Sequence, residues 1–73
     1  MTEKAIMALA AALAVAVPAL ATAYAQARIG SSGAGTVAEK PETSGTIIIL
    51  EAIPETMVIL GFVVAIMIIM RMA

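Results

Sequence analysis

The chain has 73 residues, 63% of them hydrophobic and 12% charged, with a formal net charge of −1. So little polar surface excludes an ordinary soluble domain of this size and points to a membrane protein, and the lack of a basic excess excludes a nucleic-acid face. No Cys and no His are present, which removes disulfides, thiolate metal sites, the usual metal ligand and the usual general base.

In chain order, Met1 to Lys4 is polar and suits a membrane surface, and Ala5 to Ala27 then runs 23 residues without a charge. At 1.5 Å per residue that stretch crosses a hydrocarbon core of about 30 Å. Pro18 lies inside it and removes one backbone donor, so a mild kink near residues 14–18 is expected. Lys4, an apolar run and small residues ending at Ala27 also describe a secretory signal peptide; the length of the apolar run favours a span. Arg28 to Ala38 contains Gly30, Gly33 and Gly35. A flexible linker is one reading. In a membrane protein, small residues at helical spacing more often serve helix packing. Gly30, Gly33 and Ala34 fall on one face, and the first helix is therefore extended over 5–38. Residues 39–45 are polar, with Pro41 as breaker and Thr43 or Ser44 as candidate N-cap, and form the turn. A second span covers 46–71 and ends on Arg71, which complements a helix C-terminus. Lys and Arg are split between the turn and the termini, so charge bias does not orient the hairpin.

The polar groups inside the spans carry the chemistry. From Thr46 to Met70 only Glu51 and Glu55 are charged. A carboxylate deep in a membrane span costs at least ~2.5 kcal/mol and ordinarily faces protein or a water path, handling an ion or proton. If the turn is centred between Lys40 and Pro41, Glu55 and Gln26 both lie 14.5 residues from it, about 22 Å deep. Gln26 is the one amide side chain of the first span. It can donate to a carboxylate or accept from a carboxylic acid; the bland alternative is that it merely ends the first span at the interface. Pro54 deprives the Leu50 carbonyl of its helical partner beside Glu55, and Thr56 adds a hydroxyl at that level. Glu51, one turn nearer the hairpin turn, either wets the approach to Glu55 or sits at the interface.

These residues form a recognisable set. Ala25-Gln-Ala-Arg-Ile-Gly30, the small residues to Glu39, and Ile53-Pro-Glu-Thr56 with Gly61 resemble the proteolipid ring subunit, called c or K, of archaeal and bacterial A/V-type rotary ATP synthases. The resemblance covers about residues 20 to 70. It implies an all-α membrane protein: a two-helix transmembrane hairpin assembling into a homo-oligomeric ring, first helix inner, second helix outer. It implies that Glu55 carries the ion, with Gln26, Thr56 and Ile53 completing the ion-binding group and Pro54 shaping it. Gly30, Gly33 and Gly35, with the Ala-rich first span, would let the inner helices approach closely around the ring axis. Implied partners are identical subunits, a stator membrane subunit with an arginine, a central-stalk subunit at the polar turn, and lipid. Implied placement is an archaeal or bacterial cell membrane, with the turn cytoplasmic and both termini outside. Sodium-binding members have a glutamine after Pro-Glu-Thr and a tyrosine five residues after the glutamate; here Met57 and Leu60 stand there. Losing two oxygen donors favours a translocated proton over sodium, with no cofactor and no metal. The family often has an apolar residue where Glu51 stands, so the resemblance assigns it no role. On its own the chain is not an enzyme: Gly30 to Gly35 lacks the lysine of a P-loop. The rival reading is a small two-span membrane regulator or pore-forming protein, with Glu55 a partner-binding group and no ion carrier.

Overall fold

The computed structural model describes residues 2–72 as two antiparallel helices. Met1, part of the polar start, and Ala73 lie outside the described residues. Helix α1 runs Glu3–Glu39 and helix α2 runs Ser44–Met72. A 3-10 turn, Pro41–Thr43, joins them. The pair measures 55 × 18 × 9 Å along its principal axes, one helix thick in its smallest dimension.

The ends of the elements have local causes. Thr2 caps α1: its hydroxyl oxygen accepts from the Ala5 amide at 3.1 Å, satisfying one of the orphan donors of the first turn. This cap starts the helix two residues before the expected start at residue 5. At the far end the Lys40 amide reaches the Thr36 carbonyl at 2.8 Å and closes the last turn. Pro41 then cannot continue the ladder. The Thr43 hydroxyl donates to the Lys40 carbonyl at 2.7 Å, so it fastens the turn and does not cap α2. The break is shorter than residues 39–45, because one tight 3-10 turn suffices to reverse the chain. Residues 28–38 are helical throughout, glycines included. Helix α1 also continues through Pro18.

The seam between the helices is built from small residues. On α1 the buried positions are Ala11, Thr22 and Gly33, and on α2 they are Gly61 and Ala65. Positions 11, 22 and 33 repeat every eleven residues, three turns at 3.67 residues each, which keeps them nearly in line along the helix. Small side chains let the backbones approach, and dispersion between close-packed backbones replaces the hydrophobic effect that lipid cannot supply. The closest approach is at Gly61. Pro18 has no amide hydrogen, so the Ala14 carbonyl has no donor from the next turn, and Gly61 lies directly against that carbonyl and the Pro18 ring. A Cβ at Gly61 would collide with the Ala14 oxygen. Further along, a Cβ at Gly33 would lie 2.5 Å from Ile47 Cγ2. The large apolar side chains point outward instead: Leu20 is 74% exposed and Met70 70%. A surface so apolar needs lipid or other protein around it.

Candidate functional site

The antiparallel register sets Gln26 on α1 opposite Glu55 on α2, the two residues at matched depth. Gln26 Nε2 donates to Glu55 Oε2 at 2.9 Å. The same nitrogen also donates to the Glu51 backbone carbonyl at 3.1 Å, which occupies both hydrogens of the amide. One side chain thereby ties the carboxyl and the backbone of α2 together across the seam. Gln26 is half-buried, whereas Glu55 is exposed on the flank of the hairpin. The carboxyl is thus held from one side and open on the other.

Beside this pair Pro54 leaves the Leu50 carbonyl without its helical donor within a continuous α2, and polar groups gather there. The Thr22 hydroxyl, on a residue 2% exposed, donates to the Pro54 carbonyl at 2.8 Å. The Thr56 hydroxyl donates to the Ile53 carbonyl at 2.8 Å. So Thr56 and Ile53 bond to each other within one turn, and the Thr56 oxygen keeps lone pairs free to accept. Thr22 was not anticipated from the sequence. Its signal was its position four residues before Gln26, one turn away on the same face of α1.

The glycines divide by environment. Gly30 faces Glu51: a Cβ there would stand 3.1 Å from Glu51 Oε2. Gly33 faces Ile47, and both glycines therefore serve contact between the two helices of one hairpin. Gly35 has nothing within 4 Å, so within the hairpin it does not pack against α2. Residue 35 projects from the side of α1 that α2 leaves uncovered.

Glu51 turns its side chain toward α1. It is half-buried against α1, and its Oε1 is buried without a hydrogen-bond partner. Arg28 lies on the opposite face of α1, where its Nη1 donates to the Tyr24 hydroxyl at 2.9 Å and its guanidinium stands 5.5 Å from the Tyr24 ring centroid. It is thereby engaged away from both glutamates. Among the described residues no group of three or more acidic ligands could hold a metal ion.

Two apolar helices long enough to cross a bilayer, joined by an amide–carboxyl hydrogen bond beside Pro54, define a membrane hairpin with a polar site on its flank. The comparisons make the class specific. Residues 9–68 match the family of the C subunit of ATP synthase, and the chain belongs to that family. It is an integral membrane protein. It is also 45% identical over 56 residues to the A-type ATP synthase subunit K of Methanocaldococcus jannaschii. The match covers 77% of this chain and 26% of that relative, so the chain spans about a quarter of the relative's length. No solved structure matches the chain.

Proposed function

We propose that the hairpin is the rotor-ring subunit of an A/V-type ATP synthase and carries one proton at a time on Glu55. The observation that supports this most directly is the 2.9 Å bond from Gln26 to Glu55. It fixes a carboxyl on the flank of an apolar hairpin while leaving its other side open to a proton donor. An ionised carboxylate facing hydrocarbon is costly, so Glu55 is carried through lipid as the neutral acid. Beside an aqueous path or a cationic partner it releases the proton. A stator subunit's arginine would supply that partner, as the family resemblance implies.

A single hairpin moves one charge, and one charge moved through 100 mV is worth about 2.3 kcal/mol. Summing several such steps requires a closed ring of identical copies. The outward apolar side chains and the uncovered face at Gly35 are surfaces that such neighbours and lipid would cover. The polar turn at residues 40–43 would face the cytoplasm and the central stalk, with both termini outside, in an archaeal or bacterial cell membrane. The chain is non-catalytic; ATP chemistry belongs to partner subunits. Protons are the cargo in preference to sodium, because Met57 and Leu60 bring no oxygen to the site and a proton needs only one carboxylate and one acceptor.

Labelling the detergent-solubilised assembly with a hydrophobic carbodiimide, across pH and with added sodium, tests the reading. Modification should map to Glu55, decline as pH rises and be unaffected by sodium. Protection by sodium overturns the choice of cargo. Absence of selective labelling at Glu55 overturns the carrier role and favours a small membrane regulator.

A further inference from the structure

Glu51 is a carboxyl inside the helix pair that the Gln26–Glu55 site does not use. Three observations bear on its state. Its Oε1 is buried with no partner. Its Oε2 lies in the space left by the missing side chain of Gly30. Both hydrogens of the nearest amide, Gln26, are committed to the Glu51 backbone carbonyl and to Glu55. One oxygen of the carboxyl is therefore buried without a donor, and the other lies against Gly30.

The charged groups on every packed element leave it equally alone. On α1, Arg28 is engaged with Tyr24 on the far face, Glu39 is near the turn, and Glu3 and Lys4 lie at the other end. Lys40 at the turn is eleven residues from Glu51, about 16 Å along the axis. Glu42 in the turn is acidic, and Arg71 closes the opposite end of α2. The one ionisable group within a turn on its own helix is Glu55, four residues on. Two carboxylates so placed repel each other when both are ionised. A carboxylate with one oxygen buried and with neither a cation nor a donor beside it is stabilised by taking a proton.

We propose that Glu51 is a second proton-binding group of the hairpin, held as the carboxylic acid in the pocket that Gly30 leaves open. Binding forms one O–H bond on Glu51 as one O–H bond of a hydronium ion breaks, and a water molecule is released. The site rests on the membrane-hairpin reading and deepens it. The hairpin holds two protons in adjacent layers, Gln26–Glu55 and Gly30–Glu51, of which Glu55 is the exposed one and Glu51 the half-buried one.

The test is infrared spectroscopy of the lipid-reconstituted protein near pH 7. Wild type, Glu51→Gln, Glu55→Gln and the double variant are compared for the carbonyl band of protonated carboxylic acid. Glu51→Gln should remove about half of the wild-type band, and Glu55→Gln should retain a band that the double variant lacks. Gly30→Ala in the Glu55→Gln background should shift or abolish that residual band. A Glu51→Gln band equal to wild type overturns the proposal, and this comparison does not depend on Glu55→Gln assembling. A residual band untouched by Gly30→Ala overturns the glycine pocket as its location. If Glu51→Gln instead abolishes the whole band, Glu51 holds a proton while Glu55 does not, and it is the carrier role of Glu55 that fails.

Discussion

Alanine at Gly61 is a direct probe of how the two helices meet. The atom it would strike is a backbone oxygen, that of Ala14, with the Pro18 ring behind it, and neither can rotate away as a flexible side chain could. The helices must separate locally or the strain must be borne. Overpacking of this kind costs about 1–3 kcal/mol. Alanine's better helix propensity offsets about 0.5–1 kcal/mol of that, leaving a net loss of about 0–2.5 kcal/mol. Gly35→Ala supplies the control on the same protein. It meets nothing within 4 Å, so only the propensity gain remains. The two variants should therefore differ by about 2 kcal/mol, roughly a 30-fold difference in the folded-to-unfolded ratio. Gly33→Ala, 2.5 Å from the Ile47 Cγ2 methyl, strikes a side chain and not a backbone atom and should fall between them. Reversible unfolding of the hairpin in mixed micelles, titrated with a denaturing detergent and followed by far-ultraviolet circular dichroism, gives the midpoints. A Gly61→Ala midpoint at or above that of Gly35→Ala would refute this account of the seam.

Thr22→Val keeps the shape but removes the hydroxyl bonded to the Pro54 carbonyl; it should destabilise by about 0.6 kcal/mol and no more than about 1.7, in the same unfolding assay. Gln26→Leu removes both donors across the seam and should alter the rate and pH profile of carbodiimide modification at Glu55, read by peptide mass mapping; an unchanged profile would show that the bond does not govern the carboxyl. Thr2→Ala removes the cap on α1 and should cost about 1 kcal/mol, with faster hydrogen exchange confined to the first turn. Arg28→Ala breaks an exposed contact with Tyr24 worth about 0.5–1 kcal/mol and, lying on the opposite face, should leave Glu55 labelling unchanged.

The class of molecule was legible in the amino-acid sequence. Two apolar runs separated by a proline-containing polar turn admit few arrangements in a membrane other than a helical hairpin, because every backbone polar group must be satisfied internally. The equal spacing of Gln26 and Glu55 from the turn was also legible, since an antiparallel register is fixed once the turn is placed. What the sequence could not supply was the rotation of each helix about its axis, and that rotation decided the rest. It turned Gly30 and Gly33 toward α2 and left Gly35 outside, although all three are glycines in one short segment. It set the Glu51 carboxyl against α1 with one oxygen buried, and it swung Arg28 onto Tyr24 away from both glutamates. Thr22 entered the seam for the same reason, one turn before Gln26 on the stripe that faces α2. Composition and spacing fix depth along a helix; which face meets the partner depends on the closest approach of two backbones, here where Pro18 exposes the Ala14 carbonyl and Gly61 has no side chain to keep it away.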